Sequence, residues 1–197
     1  MTASAEQIKK LRELTGAGIL DTKRTLEEFN GDFDKALAVL KEKGLKAAEK
    51  KAERVAKQGL IETYVHGAGK LGVMVEVNCE TDFVAATNEF KQLAHDLALQ
   101  IAATKPLYVS VNDVPADAVD AQKKVFADAA LAEKKPANIV EKIVQGKTDA
   151  YLKEIVLLRQ PFIRDDALTI QDLIQSVIAK LGENIVVRRF ARFELGE

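Results

Sequence analysis

Few residues of this 197-residue chain could do chemistry, and the setting of each narrows what that chemistry could be. There is one cysteine, Cys79, and there are two histidines, His66 and His95. A lone cysteine forms no internal disulfide, and this donor set is too small for a zinc cluster. His66-Gly67-Ala68-Gly69-Lys70-Leu71-Gly72 contains G-x-G-x-x-G, the spacing of phosphate-binding loops. A dinucleotide site needs a helix straight after the glycines, so that its first N–H groups meet the pyrophosphate, whereas here a strand pattern follows. A Walker loop needs Ser or Thr after Lys70, where Leu71 stands, and no V-A-I-K, H-R-D or D-F-G kinase set is present. The glycines therefore read as a hairpin turn. The serines, Ser4, Ser110 and Ser176, lie in no G-x-S-x-G, and neither histidine sits in a recognisable nucleophile–base arrangement. The expectation is a protein that works by binding, with no catalytic residue, metal ligand or cofactor of its own.

The stretch left over is Asn78-Cys79-Glu80-Thr81-Asp82-Phe83-Val84, where an alternating apolar run ends and an amphipathic helix begins. Spacing alone favours Thr81 or Asp82 as the helix cap with Phe83 packed inward. A carboxylate followed by a large aromatic at a corner could instead be held outward as a probe.

The elements that position this corner follow from periodicity. Ile8, Leu11 and Leu14 define a helix from Ala5 to Leu14 that ends at Thr15-Gly16-Ala17-Gly18. Asp21 is the expected cap of a second helix carrying Leu26 and Phe29, and Asp32 that of a third with Phe33, Ala36, Leu37 and Leu40 on one face. The glycine loop with Ile19 and Leu20 after it offers an apolar knob that is either core or docking surface. Lys41 to Lys57, with seven basic and three acidic residues and Gly44 as an interruption, reads as a solvated helix leading out of the bundle. Period two then marks strands at 61–65 and 71–79, and a helix with Phe90, Leu93, Leu97 and Ile101 on one face follows until Lys105-Pro106. Further on come a strand-like stretch at 107–111, helices over 116–135, around 139–144 and over 169–181, and a closing strand from Asn184 expected to pair with the 71–79 strand or its partner. Arg188, Arg189 and Arg192 read as its solvent face.

Composition fits a folded protein: 47% apolar and 30% charged residues, with a formal net charge of −1. Residues 1–57 carry 13 Lys and Arg against 10 Asp and Glu, an asymmetry too small to point to nucleic acid. No apolar run approaches the roughly 20 residues that span a bilayer, and the first residues lack a charged region followed by an apolar one. The expected location is the cytoplasm, without membrane or nucleic-acid partners.

Several of these stretches together resemble the bacterial elongation factor Ts family, the nucleotide exchange factors of elongation factor Tu. The resemblance lies in Leu11-Arg12-Glu13-Leu14-Thr15-Gly16-Ala17-Gly18-Ile19-Leu20-Asp21-Thr22-Lys23, in Val75-Glu76-Val77-Asn78-Cys79-Glu80-Thr81-Asp82-Phe83-Val84, in Gln160-Pro161-Phe162, and in Gly182-Glu183-Asn184-Ile185 with Arg188-Arg189. It implies an α+β fold: a three-helix module over 1–54, similar to ubiquitin-associated domains, then a core over 55–197 with a small antiparallel sheet and helices. It also implies that Arg12, Thr15, Gly16, Ala17, Gly18, Ile19, Leu20 and Lys23 dock on Tu. Thr81, Asp82, Phe83 and Val84 would face the Mg²⁺ side of its nucleotide pocket, where the aromatic wedges in and GDP leaves; this favours an outward Phe83. The chain passes from the 169–181 helix to Gly182-Glu183-Asn184 without a duplicated core or coiled-coil insertion. It thus looks like the short form, for which a homodimer is the expected counterpart of the duplication. A helical adaptor taking a ubiquitin-like or peptide partner through Gly16-Ala17-Gly18 is the other reading.

Overall fold

A computed structural model describes residues 4–133 and 136–197, apart from the side chains of Leu45 and Ala137. In chain order the elements are α1 (Ala5–Thr15), α2 (Ile19–Glu28), α3 (Phe33–Glu49), β1 (Gln58–His66), β2 (Leu71–Cys79), α4 (Asp82–Ala85) and α5 (Asn88–Thr104). Then come α6 (Ala116–Ala132), α7 (Ala137–Ile155), β3 (Pro161–Phe162), β4 (Asp165–Thr169), α8 (Ile170–Leu181) and β5 (Val186–Glu194). They form two compact units: the residues up to Ala98 with Gln171–Glu197, and Leu99–Ile170. The class is α+β, with small antiparallel sheets and a helical bundle at the front.

Local chemistry explains the bundle. Ser4 Oγ accepts from the Gln7 N–H at 3.1 Å while Gln7 Oε1 accepts from the Ser4 N–H at 3.2 Å, a capping box that starts α1. Asp32 caps α3 by accepting from the Lys35 N–H, a bond that holds its carboxyl below the usual carboxylate range. Asp21 does not cap α2. Gly18 occupies the cap, and Asp21 stands in the first turn, where its charge still suits the helix dipole. Leu11, Leu26, Ala36 and Leu40 form the core, with Ile8, Ala17, Phe33 and Leu37 against them. Leu14, expected inside, is exposed; Thr15 takes the inner position and donates to the Leu11 carbonyl at 2.6 Å. The basic stretch is no separate helix, because α3 runs through Gly44 to Glu49. Glycine suits that point since a Cβ there would lie 3.3 Å from the Ala179 Cβ of α8.

The three-stranded sheet has the order β1-β2-β5, both pairings antiparallel, so the closing strand does pair with 71–79. Gly67, Ala68 and Gly69 take φ of 60°, 55° and 89° at the hairpin turn, a left-handed run that glycine makes accessible. Val73, Val75, Val77 and Cys79 face inward and are buried. A bulge at Glu76/Val77 shifts β5, leaving Arg188 and Arg189 exposed while the Arg192 side chain is only 9% exposed, bound to Glu194 and Glu197. Arg192 thus departs from the solvent-face expectation. The helix expected after Val84 is two helices: Thr87 Oγ1 donates to the Val84 carbonyl at 2.7 Å, closing α4, and accepts from the Phe90 N–H at 3.2 Å, opening α5.

In the second unit the 107–111 stretch is not a strand. Tyr108 makes one isolated bridge to Val156, and Asp113 then folds the chain into a tight turn by accepting from the Ser110 N–H and hydroxyl. The helix expected up to Lys135 is described as α6 to Ala132, and its last expected residues, 134 and 135, lie outside the described ones. Gln100 is fully buried here. Its Nε2 donates to the Pro161 carbonyl (3.1 Å) and Gln160 Oε1 (3.3 Å), and its Oε1 accepts from the Ile163 N–H (2.9 Å). Gln100→Ala strands these groups, so urea unfolding should show a loss of about 2–3 kcal/mol. A loss under about 0.5 kcal/mol would remove Gln100 from the fold's supports.

Candidate functional site

The corner after β2 is built by side chains from both ends of the chain. Thr81, with extended backbone, caps α4: its Oγ1 accepts from the Val84 N–H at 3.3 Å. The hydroxyl proton goes to Glu183 Oε1 at 2.6 Å. Glu183 Oε2 accepts from the N–H groups of Glu80 (3.1 Å) and Thr81 (3.0 Å), so one carboxylate satisfies three donors 102 or 103 residues away. Glu80 reciprocates by accepting from the Asn184 N–H at 2.7 Å, and its carboxylate lies 3.7 Å from Arg54. Asn184, buried, donates to the carbonyls of Ala52 (3.2 Å) and Arg54 (2.8 Å), tying in the segment after α3. The Cys79 thiol beneath is wholly buried and points at the Thr81 carbonyl at 3.1 Å. Burial first, and the Glu183 charge second, push that thiol's pKa up, so Cys79 is a packing residue held as the neutral thiol.

What this clasp presents is Phe83. It is 82% exposed, the second residue after the Thr81 cap, and Asp82 before it is exposed, its carboxylate with no hydrogen bond or salt bridge among the described residues. Val84 is half-buried. Of the two readings that spacing left open, the outward Phe83 is the one observed, together with the Thr81 cap.

The front residues divide into supports and surface. Thr15 is buried, and Gly16 closes α1 at φ 67°, where an added Cβ would lie 2.5 Å from the Lys180 Cα of α8. Only glycine meets both demands. Arg12 braces the loop, its Nε donating to the Ala17 carbonyl at 3.4 Å, and Ala17 packs on the bundle core. Ile19 and Leu20, the apolar knob, are 55% and 77% exposed, next to Gly18 at the start of α2. Lys23 is exposed and pairs with Glu27 at 3.8 Å. The knob is surface. Sequence reasoning had no role for Glu183, since no local pattern announces a partner so far along the chain.

The match of this chain to known proteins runs over residues 2–197, where the family model described as elongation factor TS fits. It is 57% identical over 197 residues to a protein named elongation factor Ts from Coprothermobacter proteolyticus, covering 100% of both chains. The chain belongs to the elongation factor Ts family. It is 54% identical over 194 residues to the elongation factor Ts of Carboxydothermus hydrogenoformans, covering 98% of this chain and 89% of that one. With that of Herpetosiphon aurantiacus it shares 55% over 196 residues, covering 100% and 99%. It is accordingly a translation elongation factor, and among the described residues no helix is long and apolar enough to cross a membrane.

Within this family member the clasp is a structural support first. Glu183→Ala leaves two backbone N–H groups and the Thr81 hydroxyl without their acceptor, so the urea midpoint should fall by an amount equal to about 2–4 kcal/mol. An unchanged midpoint would show that the corner holds its shape without Glu183.

Proposed function

We propose that the chain is the guanine nucleotide exchange factor of elongation factor Tu: it binds Tu carrying GDP, disturbs the Mg²⁺ and phosphate contacts, and lets GDP leave so that GTP can bind. The observation that carries this reading is Phe83, an exposed aromatic fixed by the clasp rather than carried on a mobile loop. An exposed phenyl ring on a rigid corner costs apolar hydration in the free protein and recovers it in a partner's pocket. Asp82 brings a negative charge to the same place, suited to competing at a cation site. The step is one of linkage: a partner that favours the Tu conformation with weak affinity for GDP is itself bound less well when GDP is present, by the same factor. The protein makes and breaks no bond in this scheme.

The front module, residues 1–54, docks through Ile19 and Leu20, with Arg12, Thr15, Gly16, Ala17 and Gly18 shaping the loop and Lys23 at its rim. The core, 55–197, carries the wedge. This division is drawn by role. The protein works in the cytoplasm as a homodimer, and the support for a second copy is the outer face of the sheet. Ile61, Val65, Met74, Ala191 and Phe193 are exposed there, around a Glu76–Arg189 pair at 2.8 Å. The register sets Met74 opposite Thr63 on one side and Ala191 on the other, so these residues share one face. Two such faces packed across a twofold axis would remove both from water.

Release of a fluorescent GDP analogue from Tu should accelerate strongly with this protein. An interface aromatic is worth roughly 2 kcal/mol or more, so Phe83→Ala should cut the acceleration about thirtyfold while leaving the urea midpoint unchanged. Equal acceleration by both proteins would take Phe83 out of the mechanism. Sedimentation should show a dimer that Phe193→Glu converts to a folded monomer; a monomeric parent protein would remove the dimer from the proposal.

A further inference from the structure

Two neighbouring residues after α8 hold the two surfaces assigned above to Tu, and both surfaces lie in the first compact unit. Gly182, at φ 82°, follows the last residue of α8. Glu183 then clasps the corner that carries Phe83. Asn184, 3% exposed, reaches a different segment, its Nδ2 donating to the carbonyls of Ala52 (3.2 Å) and Arg54 (2.8 Å). That segment, residues 50–57, joins the front bundle at α3 to β1 and is neither helix nor strand. A flexible, untied connector of this length has an end-to-end spread of roughly 16 Å, so a bundle hung on it would bring Ile19 and Leu20 to a partner in many positions.

Two directed hydrogen bonds from a buried amide remove that freedom. Arg54 adds to the tie, its guanidinium 3.7 Å from the Glu80 carboxylate oxygen that also accepts the Asn184 N–H. The bundle also meets α8 where a Cβ on Gly44 would lie 3.3 Å from the Ala179 Cβ, but contact between small apolar groups fixes a distance and no direction. We propose, resting on the exchange reading above, that Asn184 is a positioning residue: its amide keeps the knob at Ile19 and Leu20 in register with the wedge at Phe83. One Tu molecule then engages both, and the second contact forms at high effective concentration. The side chain serves the connector, whereas the corner is served by the Asn184 backbone N–H, which an alanine keeps. Removing the amide therefore changes how tightly Tu is gripped and leaves the wedge in place.

GDP release from Tu, titrated with the full chain, separates these effects. Asn184→Ala should raise the half-saturating concentration about tenfold and leave the maximal release rate within about twofold. Gly44→Leu, which pushes α3 away from α8, should give the same split and carries the test if Asn184→Ala does not fold. Each variant is assayed below the onset of its thermal unfolding, so that a shifted half-saturation is not a shortage of folded protein. With Ile19→Glu and Leu20→Glu in place the front contact is gone, and adding Asn184→Ala should then change nothing. With a parent protein that accelerates release, this role of Asn184 is overturned by an unchanged half-saturation in Asn184→Ala, by a fall in the maximal rate instead, or by a comparable further loss in the Ile19→Glu, Leu20→Glu background. A parent protein that does not accelerate release overturns the exchange reading itself, and the role of Asn184 with it.

Discussion

The Glu183 carboxylate is the interaction on which the corner depends. It takes up the Thr81 hydroxyl and the N–H groups of Glu80 and Thr81, the donors that the turn from β2 into α4 leaves without backbone partners. Glu80 answers by accepting the Asn184 N–H, and Asn184 holds the carbonyls of Ala52 and Arg54. Charged acceptors make the strongest of these bonds, and their geometry is closed on both sides. The direction of Phe83 is thereby settled by groups that lie after α8 and after α3 as much as by α4 itself.

That arrangement suits the exchange role proposed above, in which the work is done by surfaces. An aromatic anchor is effective only if little conformational freedom is lost when it enters its pocket, and a capped, clasped corner has lost that freedom already. The front loop follows the same logic: Gly16 and Thr15 are consumed in closing α1 against α8 and its own turn, which leaves Ile19 and Leu20 facing water. The sheet divides its residues between an inner buried row and an outer exposed apolar row, as antiparallel alternation requires.

Much of this was legible in sequence because the signals are local. Period two found β1, β2 and β5, and the capping chemistry of Asp32 found α3. Where local signals misled, a distant neighbour was the reason in one place and an unread local bond in another. Gly44, read as an interruption, sits inside α3 at a point where Ala179 of α8 leaves little room for a side chain, and Thr87 splits one expected helix into α4 and α5 by bonding both ways. Residues 107–111 look like a strand, yet Tyr108 finds a single bridge at Val156 and no sheet edge to join.

The sequence by itself determined the family, the α+β class, the hairpin at Gly67-Ala68-Gly69 and the candidate stretches around Thr15 and Phe83, since motif and periodicity are written in neighbouring residues. Only the tertiary structure decided which way Phe83 points, that Leu14 lies outside and Thr15 inside, and that Arg192 is covered while Arg188 and Arg189 are not. Orientation of a side chain depends on what packs behind it. At this corner that is Glu183, more than a hundred residues away in the chain and 3.0 Å away in the fold.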